Sequence, residues 1–180
     1  MKTLFDAFRS LIYASGFFAL FIWIALQLRV HDTKIDARMD AKIGSVPHAV
    51  VPVGLIFMCA GAVLAILCIA TFVVRGRGTP AIFDPPTRFV AAGPYRYVRN
   101  PMYIGGFAFL LGLGLYLRSA SIVLMAAVMI LAAHLLVVFY EEPTLSRKFA
   151  APYQDYCASV GRWLPRMPHA KHKISSGLAA

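Results

Sequence analysis

Residues 100–142 read NPMYIGGFAFLLGLGLYLRSASIVLMAAVMILAAHLLVVFYEE, and this stretch decides the fold. Arg118 is the only charged residue between Asn100 and Glu141, so two apolar windows of 18 and 22 residues are separated by one short connection. About 20 apolar residues, each rising ~1.5 Å, are needed to cross ~30 Å of hydrocarbon as a helix. The pattern therefore predicts a tight antiparallel helical hairpin in a membrane, at residues 100–140.

Two further uncharged windows precede the hairpin, at residues 10–28 and 43–74, with 19 and 32 residues. Hydrophobic residues make up 59% of the chain and charged residues 14%, which is far more apolar than a soluble domain of this size. Pro47 and Pro52 place the second helix at about residues 50–74, with the prolines at its entrance. We therefore expect a single-domain, all-α integral membrane protein with about four transmembrane helices, two of them within residues 1–74.

The basic residues predict the topology, because Lys and Arg near helix ends resist translocation. Thirteen of them fall on one side of the expected spans and five on the other. An even number of spans with both termini cytoplasmic follows, in what we expect to be a bacterial inner membrane. The net charge of +10 then mainly reflects membrane topology. Nucleic-acid binding is not predicted, because no basic stripe is interleaved with stacking aromatics outside the membrane segments.

Two cytoplasmic segments flank the hairpin. Residues 75–99 are rich in Gly, Pro and aromatics, so we expect a connector folded on the membrane surface. After Tyr140, apolar residues recur at helical spacing, with Pro152 as an interruption, which predicts two short amphipathic helices within residues 141–165. The recurring residues are Leu145, Phe149, Tyr153, Tyr156, Val160 and Trp163. Residues 166–180 read as a loose basic tail, and the three cysteines read as packing residues with no metal-binding pattern.

Polar residues converge at the cytoplasmic end of the hairpin. Because its arms are nearly equal in length, Arg99 and Asn100 should lie close to Tyr140 and Glu141 in depth, where Glu142 and Pro143 follow. Asn100 can cap the helix that starts at Pro101, and the free backbone N–H groups there, with Arg99, suit a carboxylate or a phosphate. An alternative stays open, in which the arginines, including Arg96, pair with the two glutamates to seal the bundle end or bind lipid phosphates.

The order and spacing of several motifs resemble the isoprenylcysteine carboxyl methyltransferase and phospholipid methyltransferase superfamily. The motifs are Gly93 to Gly105 with its Arg-Asn-Pro-Met-Tyr core, Glu141-Glu142-Pro143-x-Leu145, Phe149-x-x-x-Tyr153-x-x-Tyr156 and Val160-x-Arg162-Trp163-Leu164-Pro165. The resemblance covers about residues 88–165. Many members carry His where this chain has Asn100, although bacterial relatives commonly carry Asn there.

The resemblance implies methyl transfer from S-adenosylmethionine, with no metal. The cofactor-binding candidates are Tyr97, Arg99, Asn100, Pro101, Tyr103, Gly105, Glu141 and Glu142. Arg99 would take the methionyl carboxylate, a glutamate the ribose hydroxyls or amino group, and Tyr103 the sulfonium, while Gly105 would leave room for the cofactor. Arg99, Glu141 and Glu142 are also the catalytic candidates.

The acceptor remains open at this point. A lipophilic acceptor in contact with membrane lipids is implied, with a prenylated cysteine carboxylate as first choice and a phospholipid amine or a thiol as alternatives. A nicotinamide-dependent sterol reductase is a more distant alternative, disfavoured because the chain is short. A non-catalytic membrane scaffold or transport protein is the alternative outside enzymes.

The charge distribution generates a topological prediction. Reporter fusions near Arg88 and near Lys171 should report a cytoplasmic location, and a fusion near Asp36 should report the opposite side. Finding Asp36 and Arg88 on the same side would exclude the four-span arrangement.

Overall fold

The computed structural model describes residues 16, 19–27, 47–71, 73–74 and 91–166, and these contain helices and turns but no strand. A 3₁₀ turn at His48–Val50 leads into α1, Val51–Thr71; α2 spans Pro101–Tyr116 and α3 spans Ala120–Leu136. A π-helical turn, Val137–Glu141, joins α3 to α4, Glu142–Ser159. Residues 19–27 are also helical. The expected all-α fold is confirmed for this part of the chain.

Two of the described helical runs are long and apolar enough to cross a membrane: His48–Thr71, and the continuous run Ala120–Ser159. Only 22% of the apolar window in each is buried, so most of this surface faces outward, as expected for a helix in lipid rather than in a soluble core. α2 is apolar but has only 16 residues, and only residues 16 and 19–27 of the window at residues 10–28 are described. The expectation of four spans is thus supported for two.

The predicted hairpin is present, with α2 and α3 joined by residues 117–119. Arg118 adopts a positive φ of 53°, and the Ser119 hydroxyl accepts a hydrogen bond from the backbone N–H of Ile122 at 3.4 Å, which caps α3. A Cβ on Gly114 would lie 2.8 Å from the Val123 side chain. The two helices therefore pack directly beside the turn, and the far end of α3 returns to the depth at which α2 begins.

Glycines bring α1 and α2 into backbone contact. A Cβ on Gly61 would lie 2.5 Å from the carbonyl oxygen of Gly105, and a Cβ on Gly112 would lie 2.6 Å from that of Gly54. The two glycines that each helix contributes are seven residues apart, so a single line of small residues runs along the interface. This contact sets the depth and rotation of α2, whose first turn carries several of the candidate site residues.

The amphipathic segment contains the predicted break. Ala150 has φ 47° and ψ −126°, two residues before Pro152, whose missing N–H and fixed ring disfavour a continuous helix. Beyond the break, Tyr153, Tyr156 and Val160 are buried together. Leu145, Phe149 and Cys157 pack against them, so all of the apolar residues that recur at helical spacing share one cluster except Trp163, which packs against other rings.

Of the connector predicted at residues 75–99, residues 75–90 lie outside the described part of the chain. Its end forms a 3₁₀ turn, Gly93–Arg96, with Gly93 at φ 55°. Tyr95 in this turn is buried against Ala92 and against Cys68 of α1. The connector therefore packs on the bundle immediately before α2 begins.

The line of small residues between α1 and α2 predicts opposite responses from two glycines. Gly61→Ala places a methyl group against backbone and should lower the melting temperature, with a loss of about 1–3 kcal/mol in stability. Gly106→Ala meets no atom within 4 Å and removes a flexible residue from a helix, so it should be neutral or stabilising by up to about 1 kcal/mol. Thermal unfolding in detergent measures both, and equal destabilisation would contradict the close contact.

Candidate active site

The first turn of α2 meets the end of α3 through one polar contact. The Tyr103 hydroxyl donates a hydrogen bond to a carboxylate oxygen of Glu141 at 3.2 Å. Glu141 is the last residue of the π-helical turn, and such turns occur frequently at functional sites. The equal arms of the hairpin therefore place these residues together, as the sequence predicted.

Glu142 forms an ion cluster with two arginines. Arg162 donates to both carboxylate oxygens, from Nε at 2.7 Å and from a terminal nitrogen at 2.8 Å. Arg99 lies 3.1 Å from one of the same oxygens. The side chains of Arg99 and Glu142 are only 11% and 18% exposed, and that of Arg162 is 33% exposed. Two cations thus share one carboxylate, which leaves a surplus positive charge in a largely buried cluster.

Consecutive glutamates point to different partners because helical residues are separated by roughly 100° around the axis. Glu141 faces Tyr103, and Glu142 faces the arginines. Burial by itself raises the pKa of Glu142, but the hydrogen bonds from Arg162 and the charge of Arg99 outweigh it, so its pKa is below the ordinary 4.5. The same hydrogen bonds raise the pKa of Arg162. Glu142 is therefore an anion at neutral pH.

Arg99 is held from several directions. Its guanidinium donates to the Cys157 sulfur at 2.8 Å, and its backbone N–H donates to the carbonyl oxygen of Gly161 at 2.8 Å. The Nε atom is buried and has no hydrogen-bond acceptor among the described residues. The arginine is thus fixed in place while one of its donors is left over.

The segment after α4 closes over the start of α2. Val98 and Gly161 form an isolated parallel bridge, and the Asn100 side-chain amide donates to the carbonyl oxygen of Arg162 at 3.2 Å. The Tyr156 hydroxyl donates to the carbonyl oxygen of Tyr95 at 2.6 Å. These contacts join residues about sixty positions apart, so the C-terminal segment forms one wall of the site.

Four rings pack beside the carboxylates. Trp163 lies about 6 Å, centroid to centroid, from each of three rings, and its approach to Tyr103 is edge-on at 72°. The partners are Tyr103, Phe107 and His134. The indole N–H of Trp163 also donates to Nδ1 of His134 at 3.0 Å. An aromatic layer therefore separates the ion cluster from the apolar part of the hairpin.

The structure brings six of the eight predicted site residues together and leaves Tyr97 and Gly105 apart. Each of the six either contacts another residue of the site or is the chain neighbour of one that does. They are Arg99, Asn100, Pro101, Tyr103, Glu141 and Glu142. Tyr97 is 66% exposed, in contrast to the largely buried side chains of Arg99 and Glu142. Gly105 packs against the backbone of α1, which by itself accounts for a glycine at this position.

The expected side-chain cap by Asn100 is wrong. Its carbonyl oxygen accepts from the N–H of Ile104, as at any helix start, but its side chain makes no capping bond. The amide instead donates to the carbonyl oxygen of Arg162, which gives the buried Asn100 side chain a hydrogen-bond partner. The open alternative in which Arg99 pairs with the acidic pair is observed, with Glu142 as its partner.

No functional role was assigned to Arg162, Cys157 or His134 from the sequence. Arg162 contacts Glu142 and Cys157 contacts Arg99, whereas His134 contacts Trp163. A signal existed for two of them. Arg162 lies within the Val-x-Arg-Trp-Leu-Pro motif, and His134 is the one ionisable residue of the apolar helix α3, a placement that favours function. Cys157 had no such signal, because its contact with Arg99 depends on how α4 folds back.

Comparison with known proteins identifies the family. A family model described as phospholipid methyltransferase matches residues 50–152, more than half of the chain. The chain therefore belongs to the phospholipid methyltransferase family, within the superfamily that its motifs resemble. Membership implies a membrane-associated methyltransferase. No curated protein and no solved structure matches the chain significantly.

The ion cluster predicts a pH-dependent effect of Arg162→Gln. Because the folded-state pKa of Glu142 is lowered, its contribution to stability is present above pH 4.5 and is lost as pH falls through the folded value. The variant should lose about 1–2 kcal/mol at neutral pH, after allowance for partial exposure of the pair. Its melting-temperature deficit should then narrow below pH 4.5.

The matched control is Arg166→Gln, since the exposed Arg166 donates only to the backbone carbonyls of Cys157 and Ala158. Its deficit should not change over the same acid range. A deficit for Arg162→Gln that is constant with pH would show that Arg162 does not hold Glu142 in its ionised form.

Proposed function

We propose that this protein transfers a methyl group from S-adenosylmethionine to a lipophilic acceptor at the membrane surface. The observation that carries the proposal is the meeting of two carboxylates, two arginines and a tyrosine at one end of the hairpin. The family match adds independent support, because its range includes Arg99, Tyr103 and both glutamates.

The residues present fit the cofactor. Its methionyl part carries both a carboxylate and an amino group, and the ion cluster offers both signs with one positive charge in excess. The unpartnered Nε of Arg99 is a donor without an acceptor, in keeping with an anion site. Tyr103 offers an aromatic ring beside the cluster, which suits a sulfonium.

When bound, S-adenosylmethionine supplies an activated methyl group, and the side chains are left with binding and alignment. Arg99, Arg162 and Glu142 would hold the methionyl end. Tyr103 and Glu141 would face the methyl group and the acceptor. In the transfer, the bond between the methyl carbon and sulfur breaks, the sulfur keeps the electron pair, and the carbon bonds to the acceptor. Positioning of this kind can be worth up to ~7–11 kcal/mol.

The proposal has three forms, which differ in the methyl acceptor. The motif resemblance favours the carboxylate of a prenylated cysteine, which needs no base, and a thiol acceptor would need almost none. A phospholipid amine is the second candidate, and one observation favours it. The carboxylate of Glu141 lies outside the ion cluster and is bonded by Tyr103, so it can accept the proton that an amine must lose.

A methyl-transfer assay tests the proposal. Protein reconstituted in vesicles would receive S-adenosylmethionine labelled in the methyl group, with vesicles carrying phosphatidylethanolamine, a prenylated cysteine or a long-chain thiol. Label in one lipid product identifies the acceptor. Absence of both cofactor binding by calorimetry and label in every acceptor would overturn the proposal, and binding of a nicotinamide cofactor instead would indicate a reductase.

Two substitutions test the cofactor site. Glu142→Gln and Arg99→Ala should each raise the dissociation constant for S-adenosylmethionine by about one to two orders of magnitude, because a charged hydrogen bond is worth ~1.5–3 kcal/mol. The controls are Asp155→Asn and Arg147→Ala, which change the same charges at exposed positions of α4. The melting temperature of each protein would be measured with and without cofactor. Equal cofactor-induced stabilisation in all five proteins would show that Glu142 and Arg99 only clasp each other.

A further inference from the structure

His134 is a polar side chain in an otherwise apolar helix. Ser121 and His134 are the two polar residues of α3, and His134 lies in its last turn. A polar group at such a position is costly unless it is hydrogen-bonded. The indole N–H of Trp163 supplies that bond, at 3.0 Å from Nδ1. The tail beyond α4 is therefore attached to α3 by a specific polar contact.

The direction of this bond is fixed by chemistry. An indole nitrogen can only donate, so Nδ1 of His134 must accept and cannot carry a proton while the bond exists. In the neutral ring the proton is then on Nε2. The contact consequently has a defined donor, a defined acceptor and a defined tautomer. Side chains that mimic only one ring nitrogen of His134 can therefore test it.

Trp163 connects His134 to the part of the site that holds the carboxylates. Its ring contacts Tyr103 edge-on with a centroid distance of 6.3 Å, and the Tyr103 hydroxyl donates to Glu141 at 3.2 Å. Its chain neighbour Arg162 holds Glu142 through two hydrogen bonds. Two adjacent residues of the tail thus support two adjacent glutamates, one by charge and the other through an aromatic ring.

We propose that His134 is a positioning residue for methyl transfer: through its hydrogen bond with Trp163 it holds the Tyr103 ring against Glu141. The proposal rests on the function proposed above. His134 does not contact the ion cluster that would bind the methionyl end. Loss of the bond should therefore slow the transfer step more than it weakens cofactor binding.

Substitution of His134 by Asn or by Gln distinguishes the roles of its two ring nitrogens. In His134→Asn the side-chain oxygen lies near the position of Nδ1 and can still accept from the indole. In His134→Gln the amide nitrogen lies near the position of Nε2, so the outer donor is kept and the inner acceptor is lost. Trp163→Phe removes the indole donor while keeping an aromatic ring. His48→Asn, at the opposite end of the bundle beside Arg118, is the matched control.

Kinetics with the acceptor that labels in the wild-type protein provide the first readout. His134→Gln and Trp163→Phe should lower kcat by about five- to tenfold, the effect of one hydrogen bond, with the KM for S-adenosylmethionine changed less than about twofold. His134→Asn should recover most of the lost rate. Equal activity of all three, or equal loss in His134→Asn and His134→Gln, would overturn the proposal, the latter result pointing to Nε2.

The indole resonance provides a readout that needs no activity. With Trp23→Phe as background and ¹⁵N-labelled tryptophan, Trp163 is the one indole left, since the chain has two tryptophans. Its N–H signal should lie downfield and exchange slowly in the background protein and in His134→Asn, and should shift upfield in His134→Gln. An unchanged signal in His134→Gln would refute the bond. If the wild-type protein transfers no methyl group, the proposed function fails, the proposed role in transfer is refuted with it, and this signal decides the bond alone.

Discussion

The carboxylate of Glu142 joins three separate parts of the chain. Arg99 precedes α2, Glu142 begins α4 and Arg162 follows α4, yet all three side chains meet within 3.1 Å. Removing charges from water is costly, and a buried ion cluster offsets this cost only with good geometry and few unsatisfied groups. The two-point contact from Arg162 supplies that geometry. Loss of either arginine would leave Glu142 with one cationic partner and would break the link to one of these segments, so the cluster holds the tail, α2 and α4 in one arrangement.

The apolar part of the molecule determines where this cluster lies. The backbone contact of α1 with α2 leaves α2 little freedom to slide or rotate, since a methyl group at Gly61 or Gly112 would meet main-chain atoms. The short connection at Arg118 then fixes α3 beside α2. Because the site is built on the first turn of one helix and the end of the other, glycine packing along the bundle controls distances between polar groups some way from it.

The two adjacent glutamates have different surroundings and therefore different chemistry. Glu142 has two cationic partners, which keep it ionised and fixed. Glu141 has a neutral tyrosine partner and lies next to an aromatic layer. One carboxylate is thus suited to binding a charged ligand and the other to exchanging a proton. The difference follows from the angle between neighbouring helical residues, together with the π-helical turn that precedes α4.

The sequence alone determined the helices and the depth at which polar residues gather. Uncharged windows predicted α1, α2 and α3, and Pro152 predicted the break now seen at Ala150. Equal hairpin arms predicted that Arg99 would lie close to Glu141 in depth, and its pairing with the glutamates was one of two alternatives. Each of these depends on spacing within one helix or one hairpin, which the order of residues specifies directly.

Only the tertiary structure decided which partners these residues have. Arg162 reaches Glu142 across 20 positions and Trp163 reaches His134 across 29. The Asn100 amide, expected as a cap, turns instead to Arg162 across 62 positions. These contacts depend on the direction the chain takes after Ala150, and a turn of backbone angles there redirects every later residue. Local propensity does not contain that direction, because it is set by packing of Tyr153, Tyr156 and Val160 against the rest of the bundle.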